Sequence, residues 1–171
     1  MKDVERQIRL LADFQIECVF VGGFAATLHG SSIATHDLDI CYARDRANLI
    51  KTVAALRSVR AALRGAPNNI AFILDEETLR RGLNFTFETD IGALDLFGDV
   101  KGIGGYVECL RNSDEIEILG YQFRVLSLEG LIAAKRSAGR PKDLLVLPEL
   151  EAIREHQRKA KERPSINPKN D

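Results

Sequence analysis

Two aspartates separated by one residue, Asp37 and Asp39 in THDLDI, stand in an alternating stretch rich in β-compatible residues. On a strand, positions i and i+2 project from one face, so both carboxylates look one way while His36, Leu38 and Ile40 look the other. Two carboxylates held that close repel unless something positive lies between them. A divalent cation is the natural partner, and oxygen-only ligands select Mg²⁺ or Mn²⁺. Upstream, Gly22 and Gly23 follow the apolar run CVFV and precede FAATLHG, a short small-residue helix ending at Gly30. Such a pair lets backbone amides approach a ligand with no Cβ in the way, and a helix N-terminus behind it favours an anion such as phosphate. A third carboxylate would complete a metal site. Asp95 in ALDLF is the first candidate, because an acid flanked by Leu94 and Leu96 on a core strand is costly unless paired or metal-bound. Glu88 and Asp90 on the preceding strand are the runners-up, and Asp99 reads as a loop residue.

The surrounding pattern supplies elements to hold these groups. Val4, Ile8 and Leu11 recur at helical spacing over residues 4–14. CVFV then predicts a short buried strand and THDLDICYA a second. Residues 45–63 predict an amphipathic helix with Asp45 as its N-cap, broken by RGAPNN. DEETLRR at 75–81 has acids first and arginines last, as a short helix prefers. LNFTFET and ALDLF read as two strands joined through Asp90-Ile91-Gly92, and EIEIL and YQFRVL as a pair flanking Gly120. GIGGY is read as loop. Ser127 opens one helix, and Gly139-Arg140-Pro141 leads into a last one that Pro148 would kink. The order predicts an α/β (α+β) fold, a mixed sheet flanked by helices with a C-terminal helical pair. Residues 1–162 are expected to form one domain, and RPSINPKND from 163 to 171 a flexible polar tail.

Gly-Gly, a short helix, Asp-x-Asp on a strand and a later strand Asp together resemble the nucleotidyltransferase superfamily related to DNA polymerase β. The wording GGFAATLHG…T-x-DLDI, with KRSAGRPKDLLVLPELEAI near the end, is most similar to small prokaryotic members such as the AbiEii-type toxins and their relatives. The resemblance spans roughly residues 15–155. It implies that Gly22 and Gly23 help position a nucleoside triphosphate and that Asp37 and Asp39 bind catalytic Mg²⁺ (or Mn²⁺). Asp95 would be the third metal carboxylate and would help activate the acceptor hydroxyl. Relatives of this type often carry an arginine shortly before Asp-x-Asp, where this chain reads Ser-Ser-Ile-Ala-Thr. Lys135 and Lys142, with Arg136 and Arg140, would then bring cationic charge to the nucleotide from the C-terminal helices. The implied activity is transfer of an NMP group from an NTP to a hydroxyl of an RNA, protein or small-molecule acceptor, with a toxin–antitoxin pair as one setting. The alternative is a fold of this kind without catalysis, serving as a nucleotide-binding or antitoxin-like partner-binding module.

Composition narrows the classes. The chain has 171 residues, 45% of them hydrophobic, with 24 Lys and Arg against 25 Asp and Glu, for a net charge of −1. That balance gives no global attraction to nucleic acid or to an anionic membrane. No secretion signal or membrane-length apolar run is read, so a cytoplasmic protein without membrane contact is expected. Cys18, Cys41 and Cys109 are odd in number and widely spaced, which fits buried thiols rather than a metal or disulfide set. His29 is expected to pack against or cap the short helix, and HQRKAKER to be a solvated helix end.

Overall fold

The computed structural model describes residues 2–162 apart from 34, 36 and 67–71. In chain order these form α1 (Lys2–Asp13), β1 (Cys18–Phe20), α2 (Gly22–Leu28), β2 (Leu38–Tyr42), α3 (Arg46–Ser58) and β3 (Ala62–Leu63). There follow α4 (Glu76–Arg81), β4 (Asn84–Glu88), β5 (Leu94–Phe97), α5 (Tyr106–Arg111), β6 (Ser113–Ile118), β7 (Tyr121–Leu126), α6 (Leu128–Ala138) and α7 (Pro141–Glu162). The readings of His36 and of the tail 163–171 fall outside the described residues.

The strands make one mixed sheet in the order β3-β4-β5-β2-β1-β7-β6. β2 lies parallel to β5 and antiparallel to β1, while β1 lies parallel to β7. The three strands expected to share the site are thus neighbours. Central strands are buried on both faces, and their sequences show it: Val19, Phe20, Leu38, Ile40, Leu96 and Val125 are fully buried. Each such side chain contributes about 1.5–3 kcal/mol through burial. Helices flank the sheet, with Ile8 and Leu11 of α1, Leu49 and Leu56 of α3, and Leu131, Ile132 and Leu150 of α6 and α7 completing the core.

Local chemistry sets most boundaries. Asp45 and Asp75 accept the Asn48 and Thr78 amides at 3.1 and 2.8 Å, capping α3 and α4, and Ser127 accepts the Gly130 amide at 3.2 Å to start α6. Leu119 and Gly120, both at positive φ, make the two-residue β6–β7 turn. Two expectations are corrected. The helix predicted over 45–63 stops at Ser58; Arg60 turns left-handed and Ala62–Leu63 join the sheet edge. Six residues after the GIGG loop form α5, which packs on β1, β2 and β7. α7 continues through Pro148 as one helix. All three cysteines are free and buried, and burial pushes the Cys18 thiol up to about 12. Among the described residues no helix is long and apolar enough to cross a membrane.

Candidate functional site

Asp39 of β2 and Asp95 of β5 are direct register partners across the parallel pair. On its other side Asp95 is partnered by Thr86 of β4. The Arg64 amide donates to the Thr86 carbonyl at 2.9 Å, extending the β3–β4 ladder by one residue. Residues paired directly across a pleated sheet project to the same face. Asp39, Asp95, Thr86 and Arg64 therefore form a single row across four strands.

Asp37 joins this row from outside the strand. It lies in a bend one residue before β2, not on the strand as alternation suggests. Its carboxylate nevertheless accepts from Arg64 Nη1 at 3.2 Å, and Arg64 Nη2 donates to Asp95 Oδ1. One guanidinium thus bridges two carboxylates, with Glu88 4.0 Å from its Nε. Asp95 is buried to 8% exposure, and a carboxylate there needs a partner. Burial raises its pKa, and Arg64 draws it back down. Asp39 has no such cation: among the described residues it accepts only the Gly23 amide, at 3.4 Å. Burial, reinforced by the neighbouring Asp95, pushes Asp39 up to about 6 against the pull of that amide.

Gly22 and Gly23 open α2, with Gly22 in the left-handed region at φ 63°. Both glycines face groups of the chain itself. Gly22 leaves room for the Asp39 carboxylate, and a side chain on Gly23 would fall 2.8 Å from the Thr35 Cβ. Enlarging Gly23 would therefore disturb the packing against Thr35.

Asp37, Asp39 and Asp95 line one wall of a cavity of about 580 Å³ that also takes in Gly22, Gly23 and Thr35. The opposite wall comes from α6 and α7. Lys135 Nζ lies 3.4 Å and Arg140 Nε 2.5 Å from the buried Asp143 carboxylate. Burial would raise Asp143, but its pairs with Arg140 and Lys135 outweigh that and hold it below the ordinary carboxylate value. Lys135 is therefore already engaged. Lys142 is exposed on the cavity rim, makes no ion pair among the described residues, and lowers the Asp95 pKa through its charge. Arg136 is turned to Glu151 instead.

Of the runners-up, Glu88 is at the edge of the Arg64 cluster and Asp90 pairs with Arg60 at 2.8 Å. Asp99 lines the cavity from the loop after β5. His29 caps α2 and its Nε2 lies 2.9 Å from the Leu126 carbonyl oxygen, so it is structural. At the α7 end, Arg158 is paired with Glu155 and Glu162, a solvated helix face. The functional residue missed in the sequence is Arg64. It stood in a stretch read as a helix break, and only the pairing of β3 with β4 brings it to the row.

Among the described residues, no three His, Cys, Asp or Glu side chains are gathered tightly enough to hold a metal. Asp37, Asp39 and Asp95 nonetheless share the cavity wall, all offer oxygen donors, and one is left un-neutralised. That donor set fits Mg²⁺ or Mn²⁺ in kind, with Arg64 now occupying two of the three.

The chain matches no protein-family model and no curated protein. Its fold is similar to that of solved nucleotidyltransferases. A lincosamide antibiotic adenylyltransferase, LnuA, in its lincomycin-bound form, aligns at a TM-score of 0.57 and 15% identity over 90% of this chain and 97% of that one. The antibiotic-resistance factor ANT(2'')-Ia aligns in its solution structure at 0.53 and 14% identity, over 93% and 91% of the two chains. Its crystal structure with adenylyl-2''-tobramycin aligns at 0.53 and 14%, over 92% and 96%. The chain thus has the nucleotidyltransferase fold.

Proposed function

We propose that the chain is a metal-dependent nucleotidyltransferase that moves an NMP group from an NTP to a hydroxyl of a small-molecule acceptor. The observation that carries this reading is the in-register pairing of Asp39 with Asp95, with Asp37 beside them, in a nucleotidyltransferase fold. The reaction breaks the bond between the α- and β-phosphates, joins the α-phosphorus to the acceptor oxygen, and releases pyrophosphate. Asp37, Asp39 and Asp95 would hold Mg²⁺ or Mn²⁺. When bound, such an ion neutralises charge on the attacking and leaving oxygens. Asp95, with its raised pKa, also takes the acceptor hydroxyl proton. Gly22 and Gly23 hold the loop against Asp39 and present backbone to the nucleotide. Lys142, unengaged at the rim, meets the triphosphate, and Lys135 supports it while holding Asp143.

A small acceptor is favoured over RNA on two grounds. A cavity of about 580 Å³ suits a small ligand, and a net charge of −1 offers nucleic acid no general attraction. The neighbours in fold are crystallised with lincomycin and with an adenylylated tobramycin, which are small molecules. Incubation with each labelled NTP, Mg²⁺ or Mn²⁺, and a panel of hydroxyl-rich small molecules tests the proposal through pyrophosphate release and a mass-shifted product. Asp39→Asn serves as the control expected to be inactive. Nucleotide binding with no product from any acceptor, RNA included, would replace this reading with that of a non-catalytic nucleotide-binding module.

A further inference from the structure

Arg64 is an unusual occupant of a metal site, because the atoms it touches are those a metal would need. Its Nη1 donates to Asp37 Oδ2 at 3.2 Å and its Nη2 to Asp95 Oδ1. A guanidinium is a planar fork suited to spanning two oxygens, and here it neutralises two carboxylates that would otherwise repel. Its own attachment is light. It follows a two-residue edge strand, and among the described residues its side chain's further polar contacts are the Phe87 carbonyl at 3.4 Å and Glu88 at 4.0 Å. The side chain keeps 35% of its surface exposed, so it can swing without opening the core. The Ser31-Ser32-Ile33 segment entering Asp37 carries no cation of its own.

We propose that Arg64 exchanges partners during the cycle: it holds Asp37 and Asp95 together without metal, is displaced by the divalent ion, and then binds the polyphosphate that arrives with it. This rests on the metal-dependent reading above. A divalent ion on Asp37 and Asp95 competes with the guanidinium for their negative charge and repels it at close range, although each carboxylate keeps a second oxygen. Once released, Arg64 would keep, among the described residues, only the exposed Glu88 carboxylate as a charged neighbour. A phosphate offers two oxygens at the spacing the fork prefers. The resident cation thereby keeps the empty site folded and also ties metal binding to nucleotide binding.

The test uses the full chain and two probes that need no turnover. Mn²⁺ alone is titrated by calorimetry or electron paramagnetic resonance, and inorganic tripolyphosphate is titrated at saturating Mn²⁺. Arg64→Met removes the competitor, so Mn²⁺ should bind on the order of tenfold tighter than in wild type, while tripolyphosphate should bind on the order of tenfold weaker. Arg64→Lys, whose single ammonium cannot span both carboxylates, should fall between for Mn²⁺. Melting of metal-free Arg64→Met should be lowered and restored by Mn²⁺, a rescue a merely structural arginine would not show. If Arg64→Met is too unstable to titrate, Arg64→Lys decides by the same two measurements. Equal or weaker Mn²⁺ binding in the variants, or unchanged tripolyphosphate binding, overturns the exchange while leaving the metal reading standing. Absence of Mn²⁺ binding in wild type and variants alike, with Asp39→Asn no different, overturns both.

Discussion

The Asp39 carboxylate stands where a side chain on Gly22 would have to be: a Cβ there falls 1.9 Å from Oδ2. The glycine is needed twice over, since its φ of 63° also disfavours any other residue. Gly22→Ala should cost about 1–3 kcal/mol of stability, read from a chemical-denaturation midpoint. In a double-mutant cycle with Asp39→Ala, the contacts with Oδ2 and Cγ vanish and only the 2.8 Å contact with Cβ and the backbone cost stay, so the two losses should be less than additive. Strict additivity would show that the carboxylate yields freely.

Adjacent members of the row should respond with opposite sign. Asp39→Asn removes an un-neutralised charge and should raise the stability of the metal-free protein. Asp95→Ala unpairs Arg64 from a buried carboxylate and should lower stability by about 1–3 kcal/mol, discounted for the partial exposure of Arg64. Asp37, whose side chain is 41% exposed, should lie within about 1 kcal/mol of wild type when changed to Asn. Thermal melts of the three single variants in a chelating buffer check the order. Simple relief of repulsion on removing Asp37 and Asp39 together is not expected, because Asp37 already has a partner.

Asp39 also predicts a pH dependence. Its folded pKa of about 6 lies above the ordinary aspartate range near 4, so the folded state binds the proton more tightly. That contribution is fully present below about pH 4 and is lost as pH rises through about 6. Superimposed on the other groups, metal-free wild type should lose stability between pH 4 and roughly 7 relative to Asp39→Asn, which has no such group. The same proton competes with metal, so Mn²⁺ affinity should fall as pH drops below about 6. A pH series of paired melts and titrations measures both.

Glu149 of α7 ties down the segment that leads into Asp37. Its carboxylate accepts the Ser31 hydroxyl at 2.6 Å and both the amide and the hydroxyl of Ser32 at 2.7 Å. Glu149→Ala should speed hydrogen exchange at the Ser32 amide while leaving amides of β1 and β2 protected. Unchanged exchange at Ser32 would mean that the loop is held by its backbone alone.

The part of the site legible in the sequence was the part made by local chemistry. Asp39 and Asp95 each announce themselves as acids in apolar alternation, and Gly22-Gly23 marks a close approach. Arg64 was not legible, because its position depends on where α3 stops. Residues 59–63, VRAAL, continue the helix-forming composition of 45–58, and nothing short of the left-handed Arg60 and the β4 edge draws them into the sheet. Tertiary pairing overrode local propensity there. α5 escaped notice for a different reason: it has six residues, and its N-cap, Gly105, offers no side-chain hydrogen bond. The packing of Gly22 and Gly23 was not legible, since their nearest neighbours, Asp39 and Thr35, lie later in the chain.

The strand order has a bearing on how the molecule is made. β1 finds β2 soon after it in the chain, but its other flank must wait for β7, near the far end of the sheet's sequence. Parallel pairing of such distant segments raises contact order, and loop closure of that length slows the committed step of folding. A growing chain therefore carries β1 with one open hydrogen-bonding edge until residues 121–126 are available. The carboxylates, drawn from β2 and β5, can assemble before that, whereas the cationic wall of α6 and α7 follows β7. During synthesis the acids thus assemble ahead of the lysines that face them, and Arg64, lying between β2 and β5 in sequence, is the cation already present to receive them.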